Sequence, residues 1–310
     1  MQIMTKILIA TEKPFSVVAV EGIKQATDAA GYELVKLEKY TDKQQLLEAV
    51  ADADALIVRS DKVDAEVFDA ARNLKIVVRA GAGYDNVDLD AATAHGVVVM
   101  NTPGQNANSV AELVFGLLVF GVRNFFNGTS GTELMGKKLG ILAFGNVGRN
   151  VARVAKGFGM EVYAYDAFCP AEVIEEAGVT PVAGRDELFR LCDVVSLHIP
   201  ATPETRKSIG YELVGLMKKG GILVNTARKE VIDEEGLLRL MEERSDLKYL
   251  TDIRPEADEK FREKVADRYF ATPKKMGAQT AEANINAGIA AARQIIAFLK
   301  EGCTKFQVNK

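Results

Sequence analysis

The sequence predicts an α/β protein of two domains, each a parallel β-sheet covered by helices on both faces. Short aliphatic runs alternate with helical stretches along the chain, and strand–helix–strand order builds parallel pairs through crossover helices. The alternation restarts near residue 139, which makes two sets of βα units. Length agrees, since 310 residues at roughly 150 per domain give about two domains.

In the first set, Lys6–Ala10 (KILIA), Glu33–Leu37, Ala55–Val58 and Lys75–Val78 read as strands. Between them, Lys43–Ala53 places Leu46, Leu47 and Val50 on one helical face. Ser109-Val-Ala-Glu112 reads as a capping box that opens an apolar helix, Leu113–Phe120. The second set has apolar runs at Leu139–Phe144, Glu161–Tyr165, Asp193–Ile199, Gly221–Thr226 and Lys248–Thr251. A last helix runs from about Thr280 to Lys300, with Ile285, Ile289, Ile296 and Leu299 near one face and a stop before Gly302. Both apolar helices are expected to bury core residues; the sharper reading is that they also join the domains, the last one returning to the first domain.

Hydrophobic residues are 48% of the chain and charged residues 26%, proportions that exclude a disordered, collagen-like or disulfide-scaffold protein. The formal net charge is -4 and the pI is near 5.5, so there is no general basic surplus to draw in nucleic acid or an anionic membrane. A local basic pocket for a small anion stays compatible with this balance. The longest apolar run, Leu113–Val122, is broken by Gly116 and Gly121 and falls short of the ~20 residues of a membrane helix. Met1–Lys6 leads straight into a short apolar run without a signal-peptide core, so a cytoplasmic protein is expected. Cys169, Cys192 and Cys303 are far apart and lack CxxC spacing, which favours reduced thiols and no metal site.

Leu139-Gly-Ile-Leu-Ala-Phe-Gly-Asn-Val-Gly148 is a strand turning into a helix. The dinucleotide fingerprint of a Rossmann-type doubly wound sheet is G-x-G-x-x-G, and here Ala143, Gly145 and Gly148 stand in the glycine places. Alanine is acceptable at the first place if its φ is negative. Gly145 lets the backbone approach a pyrophosphate, and Gly148 permits close helix–strand packing. The N–H groups of Asn146 and Val147 face the phosphates from a helix N-terminus. Asp166 ends the next strand, 21 residues after Gly145. A carboxylate there accepts from the adenosine ribose hydroxyls and repels a 2′-phosphate, so NAD is expected rather than NADP.

Further segments read together: Arg79-Ala-Gly-Ala-Gly-Tyr-Asp-Asn-Val-Asp88, Asn101-Thr-Pro-Gly104, Ser109–Glu112, Ser196-Leu-His-Ile-Pro200 with Thr202-Pro-Glu-Thr205, and Val224-Asn-Thr-Ala-Arg228. From about Lys6 to Leu299 the chain resembles the D-isomer-specific 2-hydroxyacid dehydrogenase family, in particular its short phosphoglycerate-oxidising forms without C-terminal regulatory domains. The resemblance implies a flavodoxin-like α/β substrate domain, residues 1–98 and 282–310. It implies a Rossmann coenzyme domain, residues 99–281, an active site in the cleft, and a homodimer. It also implies that His198 and Pro200 wall the adenosine and that Thr205 lies on the diphosphate side. Ala227, Arg228 and Asp252 then meet the nicotinamide end, and Thr226 and Gly277 also belong to the coenzyme site. His198 in that wall is no catalyst, and His95, in an Ala-Thr-Ala-His-Gly turn, is a surface residue.

Oxidising a 2-hydroxy acid needs a cation on the carboxylate, a base for the hydroxyl proton, and a hydride acceptor at short range. Arg228 matches the family's Asn-Thr-Ala-Arg motif, and its forked guanidinium suits the first role. The loop Ala80-Gly-Ala-Gly83 resembles the one whose backbone N–H groups, here those of Ala82 and Gly83, receive the carboxylate. The base departs from the family, which usually supplies a His in Pro-His-x-Gly. Here the stretch is Thr272-Pro-Lys-Lys-Met-Gly277. Counting back from Gly277 puts Lys275 in the His place, and counting forward from Pro273 puts Lys274 there. The Thr-Pro anchor leans toward Lys274, but the sequence does not choose. The family's acidic partner, a Glu five residues after Asp252, falls on Ala257, with Glu256 one short. A free lysine is neutral in roughly one molecule in 2,500 at pH 7, so a lysine base needs desolvation or a cationic neighbour, for which Arg228 is the candidate. Oxidation is then expected to rise toward alkaline pH.

Arg59-Ser60 follows the strand Ala55–Val58, at the edge where parallel sheets bind ligands, and matches the family's phosphate-side residues. Arg79, Asn106 and the second lysine add charge or hydrogen bonds. The segment Arg123–Gly136 is short for the family. Together these imply NAD-dependent oxidation of 3-phospho-D-glycerate to 3-phosphohydroxypyruvate, the first step of serine biosynthesis. The partner is a small phosphorylated hydroxy acid, with no nucleic acid or membrane. A glycerate/hydroxypyruvate dehydrogenase is the alternative, followed by an NAD-sensing protein that has lost its chemistry.

Overall fold

The computed structural model describes residues 4–309. They form two compact units, one from the residues up to Asn106 and those from Thr280 on, the other from Ala107–Gln279.

The first unit runs β1 (Lys6–Thr11), α1 (Val17–Ala30), β2 (Glu33–Glu38), α2 (Lys43–Val50), β3 (Ala55–Val58), α3 (Ala65–Ala70), β4 (Ile76–Arg79), α4 (Leu89–Ala94) and β5 (Val98–Asn101). Its strands are all parallel in the order β2-β1-β3-β4-β5, which is the flavodoxin-like order. Alternate residues of each strand face opposite sides. Leu8, Ala10, Leu56 and Val58 pack into one core, and Ile7, Ile9, Ala55 and Ile57 into the other. Burial on both faces is why these strands read as unbroken apolar runs. The chain's last helix, Ala281–Glu301, covers the second face with Ala287, Ala291, Ala292 and Ile295. Thr280 caps its start, and Gly302 ends it in the left-handed conformation.

The second unit opens with α5 (Ala107–Val122). It continues β6 (Lys138–Leu142), α6 (Asn146–Gly157), β7 (Glu161–Tyr165), α7 (Ala171–Glu176), β8 (Thr180–Pro181) and α8 (Arg185–Leu191). Then come β9 (Val194–Leu197), α9 (Tyr211–Gly215), β10 (Ile222–Asn225), α10 (Glu234–Glu243), β11 (Lys248–Thr251), α11 (Asp258–Val265) and β12 (Tyr269–Ala271). The order β12-β11-β10-β9-β6-β7-β8 is parallel throughout. Strand order reverses between β6 and β9, the switch point at which doubly wound sheets bind ligands. The loops leaving the carboxyl ends of β6, β7, β9, β10, β11 and β12 carry all the residues expected to hold the coenzyme and the base.

Two expectations are corrected. The unit boundaries fall at 106/107 and 279/280 rather than 98/99 and 281/282, because β5 pairs with β4 in the first sheet and Thr280 caps the closing helix. Ser109 does not start its helix: α5 begins at Ala107, and Glu112 accepts from Asn108 Nδ2 at 2.7 Å. Among the described residues, no helix is long and apolar enough to cross a membrane, and no group of three or more His, Cys, Asp or Glu could hold a metal ion.

Candidate active site

The turn from β6 into α6 passes through Ala143, whose φ is 80°. That is the left-handed region, strained for a residue with a Cβ, so the condition of a negative φ is not met: alanine holds a glycine's conformation. Gly148 serves close packing, since a Cβ there would lie 2.3 Å from the Ala143 carbonyl oxygen. A Cβ on Gly145 would meet nothing within 4 Å, so open space lies beside this glycine at the start of α6. No side chain caps this end of α6. Asp166, just past β7, accepts from the N–H groups of Phe144 (2.7 Å), Phe168 (2.8 Å) and Cys169 (2.9 Å). Burial opposes ionisation, but these bonds and the charge of Arg149 hold the carboxyl below its usual range.

After β9, His198 Nε2 meets Ser196 Oγ at 2.9 Å. Burial pushes its imidazole down to about 3, so it stays neutral at physiological pH. Thr205 Oγ1 donates to the Pro200 carbonyl at 2.6 Å and accepts from Thr202 N at 2.7 Å, closing the loop between them.

At the end of β10, Asn225 Oδ1 accepts from Ala227 N (3.0 Å) and its Nδ2 donates to the Arg228 carbonyl (3.0 Å). This Asx-type turn fixes the Ala227 carbonyl. Arg228 Nη1 donates to that oxygen at 2.9 Å, and so does Lys275 Nζ at 3.0 Å. Lys275 is exposed as a residue, but its ammonium is turned into this group. Burial and the neighbouring Arg228 charge lower its pKa, while Asp252 and Glu230 pull the other way. Asp252 itself is fully buried; burial raises its carboxyl above the usual range, against a 2.7 Å bond from Gly277 N. Two oxygens here, Asp252 Oδ1 and Thr226 Oγ1, are buried without a hydrogen-bond partner.

The structure thus brings Lys275, not Lys274, to Arg228. Lys274 is exposed, and its carbonyl accepts from Thr272 Oγ1 at 2.7 Å. Of the two registers the sequence left open, the one counted back from Gly277 is the one whose lysine reaches the Ala227 carbonyl. Glu256 does not join them. It pairs with Lys229 at 2.8 Å on the surface.

In the first unit, Arg59 lies just past β3. Its Nη1 donates to the Lys13 and Pro14 carbonyls (3.0 and 3.1 Å), its Nη2 to Asn284 Oδ1 (2.9 Å), and it stacks 5.2 Å from the Phe15 ring centre. Arg79 Nε donates to the Arg59 carbonyl at 2.9 Å, and the two cations are near enough for Arg59 to add to burial in lowering the pKa of Arg79. Ser60 and Ala82 are exposed, with Gly83 and Asn106 partly buried. The Ala82 carbonyl accepts from Asn101 Nδ2 at 2.6 Å.

Residues 122–273 match the family model described as D-isomer specific 2-hydroxyacid dehydrogenase, NAD binding domain. The chain is 40% identical over 277 residues to a hydroxypyruvate reductase of Thermotoga maritima, covering 83% of this chain and 88% of that one. The chain belongs to the D-isomer-specific 2-hydroxyacid dehydrogenase family. A D-3-phosphoglycerate dehydrogenase of Methanocaldococcus jannaschii is 39% identical over 282 residues, 86% of this chain. The match spans about half the length of that relative, 54%. Among solved structures, an NAD+-bound 3-phosphoglycerate dehydrogenase of Entamoeba histolytica is 50% identical with a TM-score of 0.83, covering 99% of each chain.

Three side chains that hold candidate residues in place within their own units were not singled out from sequence. Asn225 lies inside the Asn-Thr-Ala-Arg motif, and the preference of asparagine for such turns was its available signal. Thr272 was visible only as half of a Thr-Pro pair. Asn284 reaches Arg59 across 225 positions, a separation that no local pattern reveals.

Proposed function

We propose that this chain oxidises 3-phospho-D-glycerate to 3-phosphohydroxypyruvate with NAD, the opening reaction of serine biosynthesis, with Lys275 as proton acceptor. The observation that carries the proposal is the convergence of Lys275 and Arg228 on the Ala227 carbonyl at the carboxyl end of β10.

The open turn fits a dinucleotide. Gly145, Asn146, Val147 and Gly148 would hold the pyrophosphate, and Asp166, already ionised, the adenosine ribose. His198, Pro200 and Thr205 would flank the adenosine and diphosphate. Thr226, Ala227, Asp252 and Gly277 would meet the nicotinamide end, where the unpartnered Thr226 Oγ1 and Asp252 Oδ1 suit carboxamide N–H donors. When bound, NAD supplies the hydride acceptor.

Arg228 commits one Nη1 hydrogen to Ala227 and keeps its other donors for the substrate carboxylate and C2 oxygen. The N–H groups of Ala82 and Gly83 add to the carboxylate site. Lys275 Nζ, as the free amine, takes the C2 hydroxyl proton. Phosphate falls to the remaining donors of Arg59, the Ser60 hydroxyl, the Nη groups of Arg79, and Asn106. A homodimer follows from the family alone and is checked by sedimentation.

The hydroxypyruvate reductase relative favours a second reading, an unphosphorylated substrate. One set of assays separates the readings. Lys275→Met is expected to lower kcat by about 10²–10⁴-fold while NADH binding persists; Lys274→Met leaves kcat near that of the parent. Arg59→Ala raises KM for phosphoglycerate by about tenfold or more and barely affects glycerate. Equal losses on both acids, or NADH binding with no turnover in the unaltered protein, would overturn the proposal.

A further inference from the structure

We infer that Thr272 is a positioning residue, whose hydroxyl sets the register of the loop 273–276 and so presents Lys275 rather than Lys274 to the Ala227 carbonyl. The inference rests on Lys275 being the proton acceptor. Thr272 follows β12, and its N–H donates to the Thr251 carbonyl at 3.1 Å. Its buried hydroxyl shares one proton between two acceptors, the Asp252 carbonyl at 2.8 Å and the Lys274 carbonyl at 2.7 Å. The far end of the loop returns to the same residue, with Gly277 N donating to Asp252 Oδ2 at 2.7 Å. Gly277 sits close against its neighbours there: a Cβ on it would lie 2.8 Å from Asp252 Oδ2 and 3.1 Å from Val110 Cγ2.

Both ends of the loop are therefore clasped to Asp252, and four residues must span the gap. Holding the Lys274 carbonyl inward leaves Lys275 as the lysine that reaches Ala227. Without the Thr272 hydroxyl, the Lys274 carbonyl loses its donor and the two lysines are free to exchange places. The charged groups facing Lys275 are Arg228 from the β10 loop, Glu230 in the turn after it, and Asp252 from the β11 loop. Leaving this group for water would return Lys275 toward an ordinary lysine pKa, and each unit of rise removes about tenfold of the amine form below that pKa.

The test is Thr272→Val, with Thr272→Ala for the same bond if valine does not fold, and Thr272→Ser as the conservative rescue. Their kcat–pH profiles for oxidation are compared with Lys275→Met on the intact chain. The expected result for valine or alanine is a midpoint moved to higher pH, kcat near neutrality down at least about tenfold, and KM for NAD little changed. Serine should restore both kcat and midpoint. An unshifted profile in a folded valine or alanine variant overturns the inference, as does a serine variant as impaired as valine. Wild-type-like turnover by Lys275→Met instead removes the acceptor reading and this inference with it. Loss in Lys275→Met with no change in the Thr272 variants removes this inference alone.

Discussion

Ala143 takes a left-handed backbone at the turn into α6, with φ 80°. For a residue with a Cβ that conformation costs about 1 kcal/mol, and glycine adopts it freely. Ala143→Gly is therefore expected to raise the unfolding free energy read by urea titration, by about 1 kcal/mol less the entropy glycine adds to the unfolded chain. A fall in stability would show that the methyl group's packing outweighs the strain. Lys275 carries a second consequence at this scale. Burial and Arg228 lower its pKa from 10.5, so its amine form becomes available below the usual lysine range. With Lys275 as the proposed acceptor, kcat for oxidation is expected to rise with pH through a midpoint lowered from the ordinary lysine value and to level off above that midpoint. Reduction needs the ammonium and falls through the same midpoint. A flat oxidation profile, with chemistry rate-limiting, would exclude Lys275 as acceptor. The sequence left its register open for a physical reason. The choice between adjacent lysines depends on bonds from Thr272 and Gly277 to Asp252, about 20 residues upstream, which no spacing rule encodes.

The strand–turn–helix β6–α6 joins local pattern to chemistry. Gly148 lets α6 press on the strand, since a Cβ there would lie 2.3 Å from the Ala143 carbonyl. Gly148→Ala should push the helix off β6, destabilise the unit by about 1–3 kcal/mol, and weaken NADH binding, read by fluorescence titration. Binding as tight as the parent's would separate the helix–strand distance from the pyrophosphate site. This element was legible because its signals are local: an apolar run, small residues at fixed offsets, and an acid at the next strand end. The buried strands were legible for the same reason, since their two-sided burial writes unbroken aliphatic runs. The short strands β8 and β12, of two and three residues, offer too little pattern to read. The start of α5 was misread because Ser109 and Glu112 mimic a cap, while Asn108 takes the Glu112 contact inside a helix that already began at Ala107.

The chain builds one unit from a single continuous stretch and the other from two pieces far apart in sequence. Ala107–Gln279 holds a complete seven-stranded sheet with a core on each face. Every residue proposed to hold NAD lies within it. Expressed alone, this stretch is expected to unfold cooperatively on heating and to bind NADH. The first unit differs, because its five-stranded sheet needs the closing helix to cover one face. Ile7, Ile9, Ile57, Ile76 and Val78 pack against Ala287, Ala291, Ala292 and Ile295. Residues 1–106 by themselves would leave the part of that face under the closing helix in water, at roughly 25 cal/mol for each Å² of apolar surface uncovered. That fragment should therefore aggregate or stay loosely packed, with poor dispersion of its amide NMR signals. Joining residues 280–310 to it by a flexible linker should restore a cooperative transition. A well-folded 1–106 fragment would show that α1 and the loops suffice to close the sheet. Failure of the linked form would mean that the first unit needs Ala107–Gln279 in order to fold.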